Sequence, residues 1–342
     1  MQQEKIPLLV IGGPTASGKT ALAISFAQKY DGEVVSADSM QMYRGMDIAT
    51  AKPSMEERGG VPHHLFDILE PGESSSVADY VPRAHACIRD IYARGKLPIL
   101  AGGTGLYVNS VIQNILFSPM PGEAALRRAL SEQAQREGPE ALHRELAAVD
   151  PEAAAAIHPN NLGRVIRALE VYRLTGITMT ESNRRSRELP SPYEVCLLVL
   201  QYRDRQRLYD KINSRVDAML EHGLLEEAQK LLAEGLSPTA AQAIGYKELS
   251  GYFAGQEPLC EAVERIKRET RRYAKRQITW FSHMAGARML YLDNYADFKA
   301  FFAAAEQEAA AAGVLPLYKK EGQPDCVPDT TGGQKAGKET PP

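Results

Sequence analysis

The residues best suited to chemistry stand near the amino end. Gly13-Pro14-Thr15-Ala16-Ser17-Gly18-Lys19-Thr20 fits the pattern G-x-x-x-x-G-K-[ST], and it lies between an apolar run that reads as a strand and a segment that reads as a helix. In that setting the glycines let successive backbone N–H groups turn inward around phosphate oxygens, while the helix N-terminus adds partial positive charge. Lys19 can neutralise a phosphate, and the Thr20 hydroxyl can hold Mg²⁺. Loops of this kind serve in nucleotide and ATP binding, but the loop alone leaves its ligand open. ATP, GTP and a prenyl diphosphate present the same oxygens.

In an open parallel sheet, ligands sit beyond the carboxyl ends of the strands, so partners of the loop are expected there. The second strand runs into Asp38-Ser39-Met40-Gln41, and the third into Gly102-Gly103-Thr104-Gly105-Leu106-Tyr107. Asp38 is thereby delivered to the mouth of the site, where it can accept a proton or hold a hydrated Mg²⁺. Thr104 stands among glycines that permit close approach of a ligand to the backbone. His63 and His64 follow Pro62 in a predicted loop and read as structural, since neither a nucleophile nor a metal partner stands at suitable spacing. Apart from Asp38, no aspartate ends an apolar strand as an ATPase or GTPase would use to hold Mg²⁺. A motor or GTPase is therefore not expected.

A third feature is electrostatic. Seven residues between Arg265 and Arg276 are basic, namely Arg265, Lys267, Arg268, Arg271, Arg272, Lys275 and Arg276, in a chain of formal net charge -3. Helical spacing puts Arg268, Arg271, Arg272 and Lys275 on one stripe, with Ile266, Thr270, Tyr273, Gln277 and Phe281 on the packed side. A slightly acidic protein that gathers cations on one helix is built to meet an anion, and a nucleic-acid backbone is the simplest one. Arg164 and Arg167 on an earlier helix, and Arg184, Arg185 and Arg187 after it, extend the patch.

These residues need a scaffold. Apolar runs at Ile6 to Ile11, Glu33 to Ala37, Leu97 to Ala101, Glu194 to Leu200 and Met289 to Leu292 predict short strands buried on both faces, the pattern of a parallel α/β sheet. A helix is expected over Thr20 to Tyr30. From Glu123 to Gly176 the strand signal disappears, and the Ala-, Glu-, Leu- and Arg-rich sequence predicts an all-helical insertion. Its best helix starts at Asn160 as N-cap, carries Leu162, Val165, Ile166 and Leu169 on one face, and ends at Gly176. Thr180 to Pro192 reads as a polar return linker, and Asp204 to Met284 as helical with breaks at Gly235 and Pro238. The expected organisation is a P-loop core in two parts, residues 1–118 and 191–312, around a helical insertion, 119–190, with a disordered tail at 313–342.

Composition agrees. At 342 residues, 44% hydrophobic and 24% charged, the chain can bury a sizeable core and has no disordered or histone-like character. Cys87, Cys196, Cys260 and Cys326 lack metal-site spacing, and no signal peptide or membrane-spanning run is evident. A cytoplasmic protein without a membrane or an evident protein partner is expected.

Taken in order, GPTASGKT, Asp38-Ser39-Met40-Gln41-Met42-Tyr43-Arg44-Gly45-Met46-Asp47 running on to Thr50-Ala51-Lys52-Pro53, Gly102-Gly103-Thr104-Gly105-Leu106-Tyr107, Arg167-Ala168-Leu169-Glu170, Gly245-Tyr246-Lys247 and Lys275-Arg276-Gln277-Ile278-Thr279-Trp280 resemble the bacterial tRNA dimethylallyltransferases. The match runs from about Pro7 to Leu292. The resemblance implies a nucleoside-kinase-like core whose loop holds dimethylallyl diphosphate with Mg²⁺, and a helical insertion that grips the anticodon arm of tRNA. It implies that Asp38 is general base to the exocyclic amine of the adenosine 3′ of the anticodon, that Thr104 lies beside the reacting groups, and that Arg215 contacts the diphosphate. It also implies RNA contacts from Asp38 to Gln41, from Gly163, Arg164 and Arg167, and from Tyr273 to Trp280, including Lys275, Arg276 and Gln277. A counterpart of the zinc-finger extension of eukaryotic members is not expected. The competing readings are a small-molecule P-loop kinase, with ATP on the loop and Asp38 facing an acceptor hydroxyl, and an RNA-binding module without catalysis. Intact Lys19, Thr20 and Asp38 argue against the second.

Overall fold

Ile6–Gly12 is apolar almost throughout and forms β1, with Leu8, Leu9, Val10 and Ile11 fully buried. Side chains alternate along a strand, and the alternation splits them between two cores. Leu8 and Val10 join the cluster on one face, and Leu9 and Ile11 join the other. A strand buried on both faces needs helices on both sides of its sheet. The chain, described for residues 5–117 and 124–315 in a computed structural model, supplies them.

The elements follow as α1 (Lys19–Lys29), β2 (Gly32–Ser36), β3 (His63–His64), α2 (Val77–Ala93), β4 (Leu97–Ala101) and α3 (Gly105–Ile112). Then come α4 (Ala124–Glu137), α5 (Pro139–Val149), α6 (Pro151–Ala156), α7 (Leu162–Thr175) and α8 (Met179–Arg185). The chain returns through β5 (Tyr193–Gln201), α9 (Arg205–Glu221), α10 (Leu224–Glu234), α11 (Ser250–Phe253), α12 (Leu259–Ser282), β6 (Ala287–Tyr291) and α13 (Phe298–Ala311). The six strands are all parallel, in the order β3-β2-β4-β1-β5-β6. The chain leaves central β1 for β2, two places away, and returns to its other side through β5, so the crevice beyond its carboxyl end is the natural ligand site. The phosphate loop opens there.

On one face α2, α3, α10 and α12 contribute to the larger core; on the other, α1 and α13 cover the sheet. Helices α4 to α8 close a separate apolar cluster around Leu130, Leu142, Leu146, Val165 and Leu169. The expected strands and the α/β class are present. Three local expectations are corrected. The helix predicted from Asn160 starts one residue later, with Asn161 at its N-cap, and still ends on Gly176 at φ 69°. Thr180 to Pro192 is not all linker, because the Thr178 hydroxyl accepts the Glu181 N–H and starts α8. His63 and His64 form a short edge strand rather than a loop, with His64 held by Glu33 at 2.7 Å. The tail expected from 313 lies, from residue 316 on, outside the described residues, as does Cys326. Among the described residues no helix is long and apolar enough to cross a membrane.

Candidate active site

The phosphate loop turns out of β1 into α1. Ala16 takes a left-handed φ of 60° without being glycine, a conformation that costs of order 1 kcal/mol and tends to persist where function requires it. Ser17 closes the turn by donating its hydroxyl to the Pro14 carbonyl at 2.8 Å. Lys19 Nζ donates to the same carbonyl at 2.6 Å. Burial pushes the Lys19 ammonium down to about 7; nearby Asp38 opposes the shift and nearby Arg215 adds to it. The loop therefore offers a cation that an incoming anion would stabilise.

Asp38 and Thr104 arrive from neighbouring strands. Ala37 N–H pairs with the Ala101 carbonyl at 2.8 Å, and Thr104 N–H with the Ala37 carbonyl at 3.1 Å, so the ends of β2 and β4 are tied together. The Thr104 hydroxyl accepts Ser39 N–H at 3.1 Å and lies 3.3 Å from the Ser39 hydroxyl. Asp38 Oδ1 accepts Met40 N–H at 2.9 Å. That Asx turn engages one carboxylate oxygen of a residue that lines the cavity. Gln41 turns back, its amide donating to the Thr50 and Ala51 carbonyls at 3.1 and 3.3 Å.

The second half of the chain completes the site. Arg215, on α9, reaches the Thr15 hydroxyl at 3.3 Å and the Ala51 carbonyl at 3.5 Å. Burial lowers its pKa, against the charges of Asp38 and Glu57. On α12 the Tyr273 hydroxyl meets Thr104 and Gln277; burial, followed by the charge of Asp38, raises its pKa. Gln277 accepts Thr15 N–H at 2.9 Å and donates to the Gly103 carbonyl at 2.9 Å, joining the phosphate loop, the β4 loop and α12. A Cβ at Gly103 would collide with that amide, which gives the glycine there its purpose. One cavity of about 410 Å³ is lined by Thr15, Lys19, Thr20, Asp38, Arg215 and Arg276, among others.

The structure divides the residues expected to meet RNA. Ser39, Met40, Gln41, Arg276 and Gln277 line the cavity with Asp38. Gln277 is buried, with both amide atoms engaged inside the protein. On the outer side of α12, Arg268, Arg272 and Lys275 are exposed. Arg271, expected on the same stripe, turns inward instead and donates to Asn213 on α9 at 2.5 Å, because α9 packs along that flank. Gly163 and Arg164 are exposed on α7, whereas Arg167 pairs with the fully buried Glu170 at 2.6 Å. None of the α7 residues lines the cavity. The links through Arg215 and Gln277 lay beyond residue-pattern reasoning, since they join positions 200 and 262 residues apart.

This chain resembles known proteins over most of its length. A family model described as IPP transferase matches residues 41–284, and one described as isopentenyl transferase matches residues 6–64. A tRNA dimethylallyltransferase of Thermoanaerobacter sp. (strain X514) is 48% identical over 297 residues, covering 86% of this chain and 94% of the relative. The crystal structure of the full-length tRNA isopentenylpyrophosphate transferase from Bacillus halodurans aligns with a TM-score of 0.66 at 46% identity, covering 91% of this chain and 97% of that one. A eukaryotic dimethylallyltransferase, described in crystallographic snapshots as acting on tRNA, aligns with a TM-score of 0.73 at 29% identity over 92% of this chain and 81% of its own.

Proposed function

The chain belongs to the IPP transferase family, the tRNA dimethylallyltransferases, and from that premise we propose how its residues divide the reaction. The enzyme transfers a dimethylallyl group from dimethylallyl diphosphate to the exocyclic amine of the adenosine 3′ of the anticodon in tRNA, releasing diphosphate. The observation that carries the assignment is the shared cavity, where the phosphate loop, the Asp38 carboxylate and the inner flank of a basic helix meet.

Gly13 to Thr20 cradle the diphosphate with backbone N–H groups, and Lys19 and Arg215 take up its charge as it leaves. The Thr20 hydroxyl lines the cavity and has no hydrogen bond to protein among the described residues, which suits it to a magnesium ion. Mg²⁺ bound there would neutralise diphosphate oxygens and improve the leaving group. The target adenine leaves its stack to enter the cavity. As its amine nitrogen bonds to the allylic carbon, the carbon–oxygen bond breaks and its electron pair departs with diphosphate. The surplus proton on nitrogen passes to the free oxygen of Asp38. Thr104 holds Ser39 and so fixes the turn that aims that oxygen.

Ser39, Met40 and Gln41 border the flipped base, and Arg276 stands at the cavity with Lys275 beside it on the outer face. Gly163, Arg164 and Arg167 place the helical insertion against the anticodon arm, and Gln277 acts from inside by joining α12 to the donor loop. The reaction is placed in the cytoplasm. Incubation of the enzyme and unmodified tRNA with labelled dimethylallyl diphosphate, and separately with labelled ATP, tests the reading. Prenyl label should enter the RNA. Transfer from ATP alone would restore the kinase reading.

A further inference from the structure

Gly245-Tyr246-Lys247 leads into the short helical turn Lys247–Leu249 and has no task in the reaction described above. Tyr246 is fully buried, and its hydroxyl donates to Glu227 Oε1 on α10 at 2.9 Å. Glu227 Oε2 accepts the N–H groups of Asp47 and Ile48 at 2.9 and 2.7 Å, and Oε1 accepts that of Ala49 at 3.0 Å. Three consecutive backbone N–H groups converging on one anion form a concavity of the kind that binds phosphates. Here the protein's own carboxylate fills it. Among the described residues no Lys, Arg or His pairs with Glu227, so its charge is met by this loop and one hydroxyl.

The neighbouring residues enforce the same contact. Gly245 has φ 117°, and a Cβ there would come within 3.0 Å of the Ala49 Cβ. From the opposite side Lys52 Nζ reaches Asp47 Oδ1 at 2.5 Å, Asp67 Oδ1 at 2.6 Å and the Tyr43 carbonyl at 2.8 Å. The clamped segment feeds directly into the site. Thr50 and Ala51 line the cavity, their carbonyls hold the Gln41 amide, and the Ala51 carbonyl also receives Arg215.

We propose that Glu227, together with Tyr246, is a positioning residue for prenyl transfer: through the N–H groups of residues 47–49 it fixes the Thr50 and Ala51 carbonyls, which set Gln41 and Arg215 at the reacting groups. The proposal rests on the function assigned above. Glu227→Gln is the direct test, since it keeps the shape but replaces one acceptor oxygen with an NH₂ facing donors. Misplacement of reacting groups on an ångström scale can cost about 100-fold. The single-turnover rate at saturating substrates should fall about 10- to 100-fold on that basis, while tRNA affinity, governed by the outer face of α12, stays within about twofold. Tyr246→Phe removes one of the four bonds and should give a smaller loss of the same kind. In a Gln41→Ala background the effect of Glu227→Gln should shrink by about half or more on a logarithmic scale, because the two act in series. A variant that loses thermal stability but keeps the wild-type rate, or full additivity with Gln41→Ala, would reduce Glu227 to scaffold. If Glu227→Gln does not accumulate, Tyr246→Phe carries the same cycle. Failure of the unmodified enzyme to transfer the prenyl group would overturn the functional reading instead.

Discussion

Asp38→Asn separates chemistry from electrostatics at a single atom. Asparagine keeps the oxygen that accepts Met40 N–H at 2.9 Å, so the turn is preserved. What changes is the cavity side, where a proton-accepting oxygen becomes an NH₂. A positioned general base contributes about 10² to 10⁴ in rate, so single-turnover transfer at saturating donor and tRNA should slow by at least about 100-fold. A second effect runs through Lys19. Burial holds its ammonium down to about 7 while the charge of Asp38 pulls it upward, so neutralising Asp38 lowers it further. Each further unit leaves roughly tenfold less ammonium at pH above the pKa. Donor affinity in the variant should therefore be weak at pH 8 and recover toward pH 6, while the loss in chemical rate persists at both. Rapid quench with labelled donor measures the rate, and a donor titration at each pH measures the affinity. A rate loss below about tenfold at saturation, or one that vanishes at pH 6, would make Asp38 an electrostatic partner of Lys19 and refute its role as base.

Two further outcomes follow from the same charges. With Lys19 at about 7 in the free enzyme, an anion that favours the ammonium should draw a proton on binding: calorimetry at pH 8 in buffers of different ionisation enthalpy should show uptake approaching one proton, shrinking toward none at pH 6 and absent in Lys19→Met. Replacing exposed Arg268, Arg272 and Lys275 with alanine should flatten the dependence of log affinity for tRNA on log salt by about 2, given roughly 0.7 per lost phosphate contact, whereas Arg271→Ala, whose side chain is bound to Asn213, should change the slope by less than 0.5; an unchanged slope in the triple variant would leave that helix face merely solvated.

Local signals carried the sheet and the phosphate loop, because both are written within short windows. Five apolar runs match β1, β2, β4, β5 and β6. The four inner strands are buried along most of their length and are correspondingly rich in apolar residues, while edge strand β6 is half-buried and is marked by its apolar end, Met289 to Tyr291. β3 was missed because two histidines on a sheet edge carry no such run. The start of α8 was missed because its cue is a single Thr178 hydroxyl, overshadowed by the basic, polar residues around it. Asp38 was legible as a residue delivered by the end of a strand, and Thr104 as a hydroxyl set among glycines at another strand end. Arg215 was not, for nothing in an amphipathic helix marks one arginine as the one that turns inward. The inward turn of Arg271 is equally silent, since the stripe rule describes one helix and Asn213 lies on another.

The distribution of charge explains why the site draws on both halves of the chain. A phosphate loop on a parallel sheet offers one ammonium and a set of N–H dipoles, enough for many polyphosphates and selective for none. Arg215 adds a second cation, half-buried like the first, and among the described residues the carboxylates that bear on the two are Asp38, on both, and Glu57, on Arg215. Partial removal of two cations from water disfavours their charged forms, which lowers the pKa values of Lys19 and Arg215 against the pull of the nearby carboxylates. The arrangement becomes favourable when an anion enters, and in the proposed reaction a leaving diphosphate would gain negative charge beside those cations. A base must nevertheless survive among them without being silenced by a direct ion pair. Asp38 does so because its turn commits one oxygen to Met40 N–H, while Lys19 Nζ donates to Pro14 and Arg215 donates to Thr15 and Ala51. In the proposed mechanism the backbone contacts that hold the cations off the carboxylate therefore belong to the catalytic arrangement, and the Ala51 carbonyl is the one that the proposed Glu227 clamp would set.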